Sequence, residues 1–112
     1  MSIKMDRLNT SFIENISEIL HNDIKDTSIK YVTLTECRIS NDLSFAKVYF
    51  TTDNENKEDI LYSLNKASTF IRSELCNKIQ IRKMPEIKFV YDDSYEYGKK
   101  IDDIIERINN DK

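Results

Sequence analysis

Between residues 66 and 83 the chain carries Lys66, Arg72, Lys78, Arg82 and Lys83, although its 20 acidic residues outnumber its 17 lysines and arginines. A local run of cations is suited to phosphate contacts, and the planar guanidiniums of Arg72 and Arg82 can bridge phosphate oxygens or stack on a base. Arg7, Lys25 and Lys30 form a second, weaker group. The competing reading is a solvated face, because a chain with 33% charged residues must expose many cations.

Other chemistry is poorly provided for. One glycine, Gly98, leaves no room for a phosphate-cradling loop or a dinucleotide fingerprint, and neither G-x-S-x-G nor H-E-x-x-H occurs. The pairs Asp92-Asp93 and Asp102-Asp103 could bind a metal or divide acid and base roles. The first pair precedes a turn, where aspartate capping is ordinary, and neighbours on a helix do not face each other. His21, the sole histidine, falls at the end of a predicted helix, where a cation complements the partial negative charge of the terminus. Cys37 and Cys76 match no zinc or redox spacing and are expected to be reduced and mostly buried. The expectation is a non-enzyme that needs no metal, nucleotide or redox cofactor.

A chain of 112 residues suits a single domain that buries roughly two-thirds of its extended surface. The net charge of −3 argues against indiscriminate coating of nucleic acid, while leaving a segregated basic face possible. With no apolar leader at "MSIKMDRLNTSF" and no run of membrane-spanning length, a cytoplasmic address and no membrane partner are expected.

Apolar residues at three- and four-residue spacing from Asp6 to Ile24 predict an amphipathic helix. "YVTLTECRIS" and "LSFAKVYFTT" predict two strands joined at Asn41-Asp42. A two-residue loop would set Cys37 opposite Ala46, Thr35 opposite Val48 and Thr33 opposite Phe50 on the core side, with Glu36 facing Lys47 on the other. Leu34, Phe45 and Tyr49 would then lie on the outer face, which either a later segment of the chain covers or a partner binds. A long helix to about Ile79, capped by Asp53, Asn54 or Asn56, carries Ile60, Leu64, Ala67, Ile71 and Leu75. Pro85 marks the start of a third strand, "EIKFVYDD". Past Gly98, the residues Ile101, Ile104, Ile105 and Ile108 predict a terminal helix. The order is that of one small α+β domain over residues 1–112.

Four segments together resemble the bacterial ribosome-binding factor A family: "RLNTSFIENISEILHNDIKD", "RISNDLSFAKVYFT", "KASTFIRSEL", and "RKMPEIKFVYDDS" with "IDDIIERI". Within them, Ser40-x-Asp42-Leu43 followed by Ala46-Lys47-Val48, and Arg82-x-x-Pro85-x-Ile87-x-Phe89-x-x-Asp92, are specific in combination. The resemblance implies a type II KH-like fold, with three strands and a terminal helix, in which a kink with an Ala-x-Gly pattern replaces the nucleic-acid-clamping GxxG loop. Ala67, Ser68 and Thr69 stand at that kink, with Thr69 in place of the usual glycine; Thr27 likewise stands where proline is common.

The implied function is binding of the maturing 30S small ribosomal subunit and assistance in late processing and folding of its 16S rRNA, notably in the cold. An assembly GTPase is a further implied partner, and the protein would act as a monomer. Lys66, Ala67, Ser68, Thr69, Arg72, Lys78, Arg82 and Lys83 are the expected RNA contacts, with Arg7, Lys25 and Lys30 behind them. The rival readings are a protein-interaction or dimerising module, or a base-stacking surface, on the face of Leu34, Phe45 and Tyr49.

Overall fold

The computed structural model describes residues 3–24, 29, 32–53 and 56–94. Helix α1 spans Ile3–Asn22, with Phe12, Ile16, Ile19 and Leu20 fully buried on one stripe and His21 in its last turn, as the periodicity predicts. The antiparallel pair β1 (Val32–Ile39) and β2 (Phe45–Thr52) follows. Helix α2 runs over Lys57–Lys78, and β3 (Glu86–Tyr91) begins directly after the buried Pro85. The sheet order is β1-β2-β3, with β3 parallel to β2. A single core joins both helices to the inward side chains of the sheet, among them Cys37, Ala46, Val48, Phe50, Ile87 and Phe89. Helices α1 and α2 therefore cover one face, and among the described residues no helix covers the other. The terminal helix expected after Gly98 lies outside the described residues.

The hairpin register differs from expectation. Ile39 pairs with Ala46, Arg38 with Lys47, Cys37 with Val48 and Glu36 with Tyr49, and a bulge interrupts the ladder between Leu34 and Glu36. One extra residue at Thr35 lets Leu34 and Cys37 point inward although they are three apart. Leu34 consequently packs against the core, whereas Thr33 and Thr35 are exposed, the reverse of the expected alternation. The Thr35 hydroxyl donates to Asp92 Oδ2 at 2.6 Å, tying the bulge to the end of β3. Asp92 also accepts from the Ser94 backbone at 3.0 Å, the capping role anticipated for it.

Asn41 and Asp42 do form a turn, in which the Leu43 amide donates to the Ser40 carbonyl at 2.9 Å, but the connection runs on to Ser44 and side chains complete it. Ser40 Oγ accepts from the amides of Ser44 at 3.0 Å and Phe45 at 3.1 Å, and donates to Asp42 Oδ1 at 2.8 Å. Asp42 Oδ1 also accepts the Ser44 amide at 3.0 Å. Within this mesh Leu43 adopts φ 60°, the one positive-φ non-glycine residue described. A left-handed leucine costs about 1–2 kcal/mol. Burial of its side chain, which is 8% exposed, returns about 1.5–3 kcal/mol, so the conformation holds.

The segment expected to form the kink is α-helical throughout. Helix α2 is continuous through Ala67, Ser68 and Thr69, and none of its residues has positive φ. Buried Ile60, Leu64, Ile71 and Leu75, with Ala67 half-buried among them, form an unbroken stripe that rewards helical geometry throughout. Ser68 turns its hydroxyl back to the Asn65 carbonyl at 2.7 Å, which absorbs its competing hydrogen bond without opening the helix. Cys37 is buried as expected, and burial first, then the Glu36 charge, pushes its thiol up to about 12. Cys76, by contrast, is exposed, because it follows Leu75 off the apolar stripe.

Two outcomes follow from these geometries. Thr69 is exposed within an ordinary helix, so Thr69→Ala should stabilise by about 0.5 kcal/mol and Thr69→Gly should destabilise by a few tenths, measured by urea unfolding. A stabilising glycine would show that the backbone there is left-handed. Asp42 is held down to about 2 by hydrogen bonds from Ser44 and Ser40, with a smaller contribution from the Lys83 charge. Because the folded value lies below the unfolded one, the charged carboxylate stabilises fully above about pH 5 and loses this effect as pH falls through about 2. The stability difference between wild type and Asp42→Asn should therefore be level near neutrality and shrink below about pH 4.

Candidate nucleic-acid interface

The chain path decides which charges meet. Because β3 runs parallel to β2, its first residue Glu86 lies beside Phe45, the first residue of β2, and the Glu86 amide donates to the Ser44 carbonyl at 3.1 Å. The 40–44 loop and the 79–85 connection are thus brought to one end of the sheet. Helix α1 reaches the same end, where Asn9 Oδ1 accepts the Ile39 amide at 3.3 Å.

These three segments enclose a cleft of about 610 Å³ lined by Met5, Arg7, Leu8, Ser11, Asn41, Leu43, Gln80, Ile81 and Arg82. Its volume is that of a typical ligand pocket, and its composition is an apolar floor with amides and two guanidiniums around it. Among the described residues no carboxylate lines it. Arg7 and Arg82 make no hydrogen bond or ion pair among the described residues, and Lys83 stands close enough to Asp42 to lower that carboxyl. Asp6 and Glu14 line a shallower groove that also borders Arg7.

The cations named from sequence are not equivalent. Arg82 and Arg7, from the primary and the weaker group, are united by the cleft. Arg72 is used internally. Its Nη2 donates to the Met84 carbonyl at 2.9 Å and its Nε to the Pro85 carbonyl at 3.3 Å, which pins the start of β3 against α2. Lys78 lies 3.4 Å from Glu18 Oε1 and bridges the two helices. Lys66 and Thr69 are exposed on α2; Ala67 and Ser68 are half-buried beside them. Lys25 and Lys30 lie outside the described residues.

Sequence reasoning missed Asn41, Leu43, Gln80 and Ile81 as lining residues. The Ser40-x-Asp42-Leu43 pattern was the available signal, since hydroxyl and carboxylate two residues apart can organise a turn around the residue that follows. It also missed that exposed Tyr62 and Phe70 flank Lys66 at four-residue spacing on α2. Among the described residues no group of three or more His, Cys, Asp or Glu could hold a metal ion.

The family model for ribosome-binding factor A matches residues 4–105. The chain is 39% identical to ribosome-binding factor A of Macrococcus caseolyticus, over 114 aligned positions that span the whole of both chains. Among solved structures, the crystal structure of ribosome-binding factor A from Thermus thermophilus superposes with a TM-score of 0.72 at 22% identity, covering 78% of this chain and 94% of that one. A Thermus thermophilus ribosome binding factor A model fitted into the cryo-EM map of a 30S complex superposes with a TM-score of 0.62 at 20% identity, covering 84% and 97%. The α+β, KH-like fold implied by the sequence is thereby shown. On the match over residues 4–105 and the full-length identity, the chain belongs to the ribosome-binding factor A family.

Proposed function

We propose that this protein binds the maturing 30S ribosomal subunit and assists the late processing and folding of its 16S rRNA, including in the cold. It acts in the cytoplasm as a monomer without catalysing a reaction, with an assembly GTPase as a further partner. The observation that carries this reading is the cleft at the loop end of the sheet, where Arg7 and Arg82 have no carboxylate partner among the described residues of an acidic protein. Such groups can neutralise rRNA phosphates, so binding depends on salt more than on base identity. The likeness to a protein fitted into a 30S complex supports the choice of target. Lys83 extends the charged rim, whereas Arg72 contributes by fixing the segment that carries Arg82 and Lys83.

The competing dimer surface loses one of its three apolar members, because Leu34 packs into the core. Membrane attachment has no support from the helices, none of which, among the described residues, is long and apolar enough to cross a bilayer.

Sucrose-gradient sedimentation with separated small subunits, large subunits and intact ribosomes tests the proposal, and preferential migration with free small subunits is the expected result. Equal association with all three would contradict it. Arg82→Glu should weaken co-sedimentation and flatten its salt dependence while leaving urea unfolding unchanged. Arg72→Ala should instead lower stability by about 1–2 kcal/mol, through the loss of two charge-assisted hydrogen bonds to backbone carbonyls.

A further inference from the structure

The open face of the sheet carries a feature that folding alone does not favour. Arg38 pairs directly with Lys47 across β1 and β2, and Lys47 pairs directly with Lys88 across β2 and β3, so three cations stand in one row. All three residues are exposed and alternate with inward neighbours, which puts their side chains on the same face. Like charges directly opposite one another destabilise a sheet. Here two such pairs are adjacent.

Intramolecular compensation is partial. Arg38 Nε lies 2.9 Å from Glu36 Oε1, and Glu86 occupies the neighbouring row opposite Phe45. Lys47 and Lys88 have no ion pair among the described residues. The rows on either side supply aromatic rings: Phe45, 39% exposed, with the Lys88 ammonium 5.4 Å from its centroid, and half-buried Tyr49, with the Arg38 guanidinium at 5.7 Å. Clustered cations interleaved with aromatic rings are the combination that holds single-stranded nucleic acid, phosphates on the charges and bases on the rings.

We propose that this open sheet face is a second RNA-binding surface, separate from the cleft, that takes a single-stranded segment with its phosphates along Arg38, Lys47 and Lys88 and its bases against Phe45 and Tyr49. The inference rests on the reading of the protein as an rRNA-binding factor, but on a different face and different residues. A base-paired segment would present phosphates to the row and leave the rings without a base to stack, so the ligand is unpaired RNA.

Its signature is a stability gain coupled to a binding loss. Lys47→Thr places a good strand former at the centre of the row and relieves both like-charge contacts. The urea midpoint of this variant should rise, while its affinity for a short oligouridylate falls and the slope of log K against log salt decreases by about 0.7. Tyr49→Ala should weaken oligouridylate binding about five-fold or more through lost stacking. Absence of oligouridylate binding by the wild type overturns the proposal, and so does a Lys47→Thr variant with unchanged affinity and salt slope. Self-association through this face in sedimentation velocity, abolished by Lys47→Thr or Tyr49→Ala, would also overturn it in favour of a second copy as occupant. Wild-type co-sedimentation with small subunits, measured in parallel, distinguishes failure of this surface from failure of the subunit-binding reading.

Discussion

Parallel pairing of β3 with β2 is the constraint on which the remainder of the molecule depends. Parallel neighbours cannot be joined by a tight turn, and the chain must recross the length of the sheet before it can re-enter it. Helix α2 makes that crossing, and its apolar stripe of Ile60, Leu64, Ile71 and Leu75 can be buried only if the helix lies against the sheet face. The return then delivers residues 79–85 beside the 40–44 loop, because both precede strands that start in register at Phe45 and Glu86. Arg82 and Lys83 meet the hairpin loop for this topological reason, although they are far from it along the chain.

Two local devices make the meeting point stiff. The mesh from Ser40 and Asp42 holds Leu43 left-handed and aims it into the cleft floor, trading backbone strain against burial. Arg72 fixes Met84 and Pro85 from the helix side. A surface preorganised in this way loses little conformational entropy when it binds, which favours recognition of a structured partner by shape and charge.

Much of this was legible in the sequence. The helices, the strands, the start of β3 at Pro85 and the α+β class follow from periodicity and from the one proline. The register did not, because the bulge at Thr35 is tied to Asp92 far along the chain, and because the local bonds of Ser40 and Asp42 extend the loop past the Asn41-Asp42 turn. The continuity of α2 was likewise hidden. Ser68 and Thr69 are weak helix formers, yet the buried residues on either side outweigh their local preference. Cation identity could be read, but cation availability could not. Arg72 and Arg82 look alike in sequence, and only the fold shows that one is bonded to backbone carbonyls and the other lines a cleft.

The central claim is that the loop end of the sheet, where the 40–44 and 79–85 segments converge, is the surface that meets the small subunit. Amide hydrogen exchange of the intact protein, free and in complex with purified small subunits, tests it most directly. The account predicts slowed exchange on binding at residues 40–44 and 80–84. Unchanged exchange in both segments, with protection confined to other parts of the chain, would contradict it.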